Sequence, residues 1–184
     1  MKPLATLVLA ALLLSAGVAG AAGLKLTSRD LASPEFAPHF LYKGFGCTGD
    51  NVSPGLAWSD PPAGTKSFAV TLYDPDAPTG SGWWHWVVYD IPAGQRELPS
   101  GAGAATGLSL PKGARQADND FGAPGYGGPC PPAGDKPHRY VFTVYALDVA
   151  TLGAADDASA AFIGFNLHAH AIAEASLVIY HGRP

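Results

Sequence analysis

Two aspartates that flank a proline, Asp74-Pro75-Asp76, are the first residues whose types and spacing suggest chemistry. Residues two apart on an extended chain point to the same side, so we expect the two carboxylates to converge. Converging carboxylates can bind a cation, share a proton or accept hydrogen bonds from peptide N–H groups. The alternative is a turn in which each aspartate caps the local backbone, since Asp-Pro pairs are common in turns.

A histidine follows between two tryptophans, as Trp84-His85-Trp86. Strand alternation predicts that the imidazole lies on one face with Val87, while both indoles lie on the other face. Because Val87 shares its face, His85 is expected either in a hydrogen-bonded core or in the lining of a pocket.

A third group of polar side chains opens a later strand, at His138-Arg139-Tyr140. Alternation places His138 and Tyr140 on one face and Arg139 on the other. The glycine-rich stretch GYGGPCPP, residues 125–132, comes shortly before them. Glycines allow a ligand to approach the backbone and leave N–H groups free for an anion, but they also form ordinary turns.

Several familiar catalytic and metal-binding signatures are absent from the sequence, namely G-x-S-x-G, H-E-x-x-H, the P-loop and C-x-x-C. His168 and His170 are two residues apart, which does not place them on one helix face, so a metal pair is not expected. We therefore expect no metal, no cofactor and no enzymatic turnover. A hydrolase that uses the aspartates and histidines as acid and base is the weaker alternative.

Three segments that are rich in β-branched and aromatic residues are predicted to be buried strands, and they would position these groups. They are residues 67–74, 84–91 and 138–149. Each is apolar on both faces, as in the centre of a covered sheet.

The segments around these strands predict a less regular periphery. Residues 24–31 alternate as an edge strand would, and residues 93–136 show almost no apolar periodicity, which is typical of a long functional or mobile connection. The alanine-rich segments 155–162 and 165–178 predict two short helices, and the tail from Val178 predicts a last short strand. This order favours a β-sandwich or an α+β domain with helices packed outside.

Composition limits the classes of function. The chain has 184 residues, of which 47% are hydrophobic and only 14% charged, with 23 glycines and 17 prolines, which indicates one turn-rich domain. The net charge is −4 and no basic cluster occurs, so nucleic acid is not expected as a partner.

The N-terminus predicts a secreted or periplasmic protein. Residues 1–21 combine Lys2, an apolar run and small residues before Ala21, which is typical of a cleaved signal peptide, so the domain would span residues 22–184. The apolar run is short for a membrane anchor, and no transmembrane segment is expected after cleavage. No cysteine lies near the cleavage site, which disfavours a lipid anchor.

The chain has two cysteines, Cys47 and Cys130. In a secreted protein an even number of cysteines is most simply explained by a disulfide. Two buried free thiols remain the alternative.

The motifs DPDAP, WWHW and GPCPPAGDKPHRY, in this order, resemble the phosphatidylethanolamine-binding protein family, also called Raf kinase inhibitor-like proteins. FGCTGDNVSPGLAW and GYGGPCPP make the chain similar to the bacterial branch, over nearly all of the mature sequence. The resemblance implies a mostly β fold, an antiparallel β-sandwich with short peripheral α-helices near the C-terminus. It also implies a small surface pocket that binds anions, typically phosphate or a phospholipid head group.

The residues of that pocket follow from the resemblance, position by position. They would be Asp74, Asp76, His85, His138 and Tyr140, with Pro131 and Pro132 on the rim. The resemblance also implies a cis bond between Ala77 and Pro78. Trp84 and Cys130 depart from the eukaryotic pattern, which has a histidine and a glycine there, and the kinase-binding behaviour of eukaryotic members is therefore not expected.

A binding module for small anionic or phospholipid-like ligands, without turnover, is the function that these residues favour. The histidines and the tyrosine hydroxyl would donate to the anion, helped by N–H groups of the glycine-rich loop, while the carboxylates orient and charge the histidines. Anion affinity should then rise as the pH falls through the histidine range. The alternative is an inhibitor of a secreted peptidase that acts through an exposed loop at residues 125–132, and the sequence leaves a homodimer open.

Overall fold

The computed structural model describes residues 23–33 and 35–184, and the predicted signal peptide, residues 1–21, lies outside them. A short 3-10 helix spans Pro38–Phe40 and one α-helix, α1, spans Ala160–His170. The strands are β1 Lys25–Thr27, β2 Lys43–Gly44, β3 Cys47–Thr48, β4 Leu56–Ser59, β5 Ser67–Asp74, β6 Trp83–Pro92, β7 Glu97–Leu98, β8 Arg115–Gln116, β9 His138–Leu147 and β10 Ala171–His181. Within the described ranges, no helix combines the length and hydrophobicity needed to cross a membrane.

Two antiparallel sheets and a hairpin make up the domain. The larger sheet has the order β10-β9-β5-β6-β8, the smaller has the order β1-β4-β7, and β2 pairs with β3. Phe68 and Leu72 of β5 belong to the same buried core as Leu56 and Trp58 of β4. The predicted antiparallel β-sandwich is confirmed.

The helix covers the opposite face of the larger sheet. Ile163 and Leu167 of α1 are fully buried against Val87 and Tyr89 of β6. Both faces of the central strands are therefore covered, which explains why their sequences are apolar at nearly every position.

The three strands predicted to be buried are confirmed as β5, β6 and β9. Strand β5 lies between the other two and pairs antiparallel with both. Because of this arrangement, the C-terminal end of β5, at Asp74, lies beside the beginning of β6 and the beginning of β9. The polar groups found in three separate parts of the sequence thus meet at one end of the sheet.

The prediction of two helices near the C-terminus, at residues 155–162 and 165–178, was wrong, because a single helix spans Ala160–His170. The helix begins after Ser159, whose hydroxyl accepts a hydrogen bond from the N–H of Phe162, and it ends at His170. Residues 171–181 form β10, which pairs with β9 along its whole length. Alanine favours a helix, but Ala173 and Ala175 pack against the sandwich core from the edge of the sheet, and this tertiary contact outweighs the local preference.

Candidate functional site

A cavity of about 200 Å³ lies at the end of the larger sheet where β5 stops and β6 and β9 begin. Six of the seven residues that the sequence predicted for a ligand site line it, and Asp76 does not. The six are Asp74, His85, Pro131, Pro132, His138 and Tyr140.

A buried histidine–aspartate pair forms one wall of the cavity. Nδ1 of His138 lies 2.8 Å from Oδ2 of Asp74, and the two side chains are 5% and 3% exposed. The other carboxylate oxygen of Asp74 accepts a hydrogen bond of 2.8 Å from the backbone N–H of Asp76. Asp74 therefore holds the imidazole in place and also closes the turn after β5.

Asp76 points away from the cavity, so the prediction that the two carboxylates converge was wrong. Its carboxylate binds the guanidinium of Arg139 through two hydrogen bonds, of 2.8 and 2.7 Å. Side-chain alternation does not extend to Asp76 because β5 ends at Asp74 and a turn follows. The hydrogen bonds from Arg139 lower the pKa of Asp76 to about 2.

His85 sits in a β-bulge, which changes the predicted arrangement of faces. Tyr73 pairs with Trp84 and Leu72 with Trp86, so His85 is an extra residue in β6. His85 consequently lies on the same side of the sheet as Trp86, next to Tyr140, with a distance of 5.2 Å between the two ring centres.

The faces predicted for the neighbours of His85 were therefore wrong. Trp84 and Val87 both pack on the opposite face of the sheet, against the cluster that contains α1. The tryptophans that flank His85 are thus divided between the two faces, and the bulge turns the imidazole into the cavity wall.

The imidazole of His85 is neutral over most of the pH range. Nδ1 lies 2.7 Å from the carbonyl oxygen of Gly127, and because a carbonyl only accepts, Nδ1 carries the proton. Burial lowers the pKa of His85 to about 4, against smaller effects of Gly127 and Asp74 that favour the charged form. Its Nε2 is then an acceptor, not a donor.

Tyr140 supplies an unpaired donor to the cavity. Its hydroxyl is buried and has no hydrogen-bond partner among residues 23–33 and 35–184. Burial, and secondarily the nearby Asp74 carboxylate, raises the pKa of Tyr140, so the hydroxyl keeps its proton. The backbone N–H of Cys130 lies close enough to this hydroxyl to act in the opposite direction on that pKa.

The N–H groups of Gly127 and Gly128 are not free for a ligand, which corrects the sequence prediction for these two glycines. The N–H of Gly127 donates to the carbonyl of His85, and the N–H of Gly128 donates to Oδ1 of Asn51. Residues 125–129 are buried, so they also do not form the exposed loop expected for contacts with a peptidase. Glycine is required at Gly128, where a Cβ would lie 2.2 Å from the carbonyl oxygen of Phe40.

The rim of the cavity is tied to the β2–β3 hairpin. The predicted disulfide between Cys47 and Cys130 is confirmed, and it joins β3 to the segment that carries Pro131. The carbonyl of Pro131 accepts a hydrogen bond of 2.6 Å from Nε of Arg183. The Ala77–Pro78 bond, expected to be cis, is trans, the form that X-Pro bonds favour by about 0.5–1 kcal/mol.

Three aromatic residues that the sequence did not indicate also line the cavity: Phe45, Trp83 and Phe121. Phe121 contacts both others, with ring centres 5.9 Å from Phe45 and 5.2 Å from Trp83. Phe45 lies at the tip of the β2–β3 hairpin and is 71% exposed. A two-residue turn before a cysteine was the available signal for Phe45, whereas nothing distinguished Phe121 inside its long connection.

The described part of the chain holds no group of three or more histidine, cysteine or acidic side chains that could bind a metal ion. His170, in the last turn of α1, lies 3.1 Å from Asp148 through Nδ1 and Oδ1, far from the cavity in sequence and on another element. The cavity combines the polar side chains of Asp74, His85, His138 and Tyr140 with an apolar opening.

Fold and site together define an antiparallel β-sandwich with a small polar-based cavity at one end of its larger sheet. A family model described as phosphatidylethanolamine-binding protein matches residues 32–181. The UPF0098 protein YbhB of Escherichia coli (strain K12) is 53% identical over 155 residues, which cover 84% of this chain and 97% of YbhB. The chain therefore belongs to the phosphatidylethanolamine-binding protein family, as its motifs predicted.

Two further relatives are informative. The crystal structure of E. coli YbcL, described as a new member of the mammalian PEBP family, has a TM-score of 0.85 and 49% identity, covering 88% of this chain and 99% of that chain. LppC of Mycobacterium tuberculosis (strain ATCC 25618 / H37Rv), which carries a lipoprotein name, is 43% identical over 121 residues, 65% of this chain and 56% of LppC.

Proposed function

We propose that the cavity binds a small anion of the phosphate type, free or as part of a phospholipid head group, without chemical turnover. The observation that carries the proposal is the buried Tyr140 hydroxyl, which has no protein partner in the described residues and lies beside the His138–Asp74 pair. Buried donors are rarely left unpaired in native proteins, so a donor in a cavity wall without a protein partner is available to a ligand.

Further groups support an anion. The carboxylate of Asp74 and the backbone N–H of Cys130 both lie near the Tyr140 hydroxyl, since both act on its pKa. A second proton on His138 would add a positive charge to the wall, and it would be stabilised by Asp74, 2.8 Å from Nδ1, and by Asp135, 3.5 Å from Nε2. His85, with its pKa of about 4, contributes no positive charge near neutral pH.

The apolar opening supports a ligand with a carbon substituent. Phe45, Trp83 and Phe121 line the opening together with Ala77 and Pro78. A phosphate ester could place its charged group against Tyr140 and its carbon atoms against these side chains. We therefore expect a phosphate ester or a phospholipid head group to bind more tightly than inorganic phosphate.

The absence of turnover rests on the nucleophiles that the cavity offers. Cys130 is held in the disulfide, and the hydroxyl of Thr79 donates to the carbonyl of Gly82. Neither side chain is positioned by a histidine as an activated nucleophile would be. Inhibition of a peptidase would require residues 125–132 to form an exposed segment. Most of these residues are buried, so ligand binding is the function that we propose.

We further propose that the protein acts in the cell envelope or outside the cell. The signal peptide predicted at residues 1–21, the disulfide and the lipoprotein name of LppC support this location. Cell fractionation with an antibody against the native protein would test it, and recovery in the cytoplasm alone would contradict it.

Isothermal titration calorimetry with phosphoethanolamine tests the binding function. We expect saturable binding by the wild type and a loss of at least about tenfold in affinity for His138→Gln, which cannot carry the positive charge. His170→Gln is the matched control, because His170 also pairs with an aspartate, Asp148, but outside the cavity. No binding by the wild type, or equal losses in the two variants, would refute the proposal.

A further inference from the structure

The cavity contains two groups that only accept hydrogen bonds, in addition to its donors. One is the carboxylate of Asp74, which already accepts from His138 and from the N–H of Asp76. The other is Nε2 of His85, because Nδ1 of the same ring donates to Gly127. An anion that enters the cavity therefore meets acceptors as well as donors.

The acceptor character of His85 is maintained by its surroundings. The charged and titratable groups that face it are Asp74, His138 and Tyr140, and the ring is 3% exposed. Desolvation outweighs the attraction of Asp74, so the ring stays neutral and Nε2 keeps its lone pair.

A fully deprotonated anion fits such a cavity poorly. Its oxygen atoms can accept from the Tyr140 hydroxyl, but they repel the Asp74 carboxylate and the Nε2 lone pair. Each buried acceptor that loses water and gains no donor weakens binding by roughly five- to a hundredfold. A ligand with its own O–H or N–H group avoids this loss.

We propose that the cavity binds anions that carry a hydrogen-bond donor of their own and rejects anions of the same shape that carry none. His85 and Asp74 accept the hydrogen bond from that donor. The ligand class is a phosphate monoester with one proton retained, or a phosphodiester with an ammonium group nearby. Sulfate esters without a donor are excluded. This inference rests on the proposed function, since it concerns the same cavity.

Methyl phosphate and methyl sulfate form the matched pair of probes for this proposal. A phosphate monoester has a second pKa of about 6, so at about pH 5 both probes carry one negative charge and differ by a single proton, while at about pH 8 methyl phosphate has lost that proton. Calorimetry with the wild-type protein should give methyl phosphate at least a tenfold higher affinity than methyl sulfate at the lower pH, and a smaller difference at the higher pH.

The outcomes distinguish a failure of the ligand selection from a failure of the proposed anion binding. Equal affinity for both probes at the lower pH would overturn the selection by a ligand donor and leave the anion site intact. No measurable binding of any phosphate probe would overturn the proposed function itself. If the affinities for both probes rise equally at low pH, the rise is assigned to protonation of the protein. Only an additional rise in the affinity for methyl phosphate is assigned to the ligand proton.

A variant and a second pair of probes complete the test. His85→Phe keeps an aromatic ring but removes Nε2, and it should bring the affinity for methyl phosphate down toward that for methyl sulfate. Methyl 2-aminoethyl phosphate carries an ammonium group and no phosphate proton, whereas dimethyl phosphate carries neither of these donors. Retained affinity for the first at about pH 8 would indicate a lipid head group as the source, and retained affinity for neither would indicate a free phosphate monoester.

Discussion

Nδ1 of His138 lies 2.8 Å from Oδ2 of Asp74, and both side chains are almost completely buried in the wall of the cavity. The two residues are 64 positions apart in the chain and meet because β9 pairs with β5. A buried carboxylate beside an imidazole fixes the tautomer and stabilises the charged ring. If the cavity binds an anion as proposed, Asp74 is the counter-charge for a protonated His138 ring.

Asp74→Asn tests this role. The asparagine oxygen can still accept from Nδ1 of His138, but the counter-charge for the imidazolium is lost. We expect the affinity for phosphoethanolamine to fall by roughly ten- to a hundredfold and its rise toward low pH to flatten. Titrations at several pH values measure both effects, with Asp148→Asn as the control at the exposed His170 pair. An unchanged pH profile would contradict the role given to Asp74.

Tyr140→Phe separates binding from stability. The hydroxyl has no partner among the described residues, so its removal should leave the free energy of unfolding unchanged or raise it by about 1 kcal/mol. The affinity for phosphoethanolamine should fall at least about fivefold, since the anion loses a donor. Denaturant unfolding and calorimetry on the same sample give the two quantities. Lower stability with unchanged affinity would show that the hydroxyl is structural.

Asp76→Asn should affect acid stability and not the ligand. Arg139 lowers the pKa of Asp76 from 3.8 to about 2, so the folded state binds this proton less readily than the unfolded chain. The stabilisation is present above pH 3.8 and is lost as the pH falls toward 2. The free energy of unfolding of the variant should be only about 1 kcal/mol below that of the wild type at neutral pH, because solvent screens the pair. Near pH 2 the two proteins should be equally stable. Its affinity for phosphoethanolamine should change by less than about twofold, and a larger loss would place Asp76 in the binding site after all.

His85 should destabilise the protein in acid. Its pKa is 6.5 when unfolded and about 4 when folded, so the unfolded state gains the proton first and stability falls between these two values as the pH decreases. The loss is on the order of 3 kcal/mol at its limit. His85→Phe should lack this part of the pH dependence in thermal unfolding curves. Parallel curves for the wild type and the variant over that range would contradict the neutral, buried state of His85.

The sequence predicted the sandwich and most of the cavity because strong local signals coincided with tertiary structure. The strands that became β5, β6 and β9 are apolar on both faces and have no competing helical pattern. The resemblance to the family implied which ends of these strands would meet, and the even number of cysteines indicated their pairing.

The errors arise where one residue changes the register or where tertiary contacts decide. A single extra residue at His85 places Trp84 and Trp86 on opposite faces of the sheet. The local sequence preference of these residues does not predict the bulge. Residues 171–181 are alanine-rich, yet pairing with β9 makes them a strand. Phe121 reaches the cavity from a long irregular connection, whose path depends on contacts with distant parts of the chain, such as its ring stacking on Tyr42 at 4.0 Å.

A crystal structure of the protein grown with phosphoethanolamine tests the central claim most directly. The account predicts the phosphate group inside the cavity, with one oxygen within about 3 Å of the Tyr140 hydroxyl, and a ligand N–H or O–H donating to Nε2 of His85 or to Asp74. The claim would be contradicted by an empty cavity at a ligand concentration that saturates binding in calorimetry. It would also be contradicted by a ligand bound instead in a separate surface groove, which Asp76, Asp135 and Arg139 line.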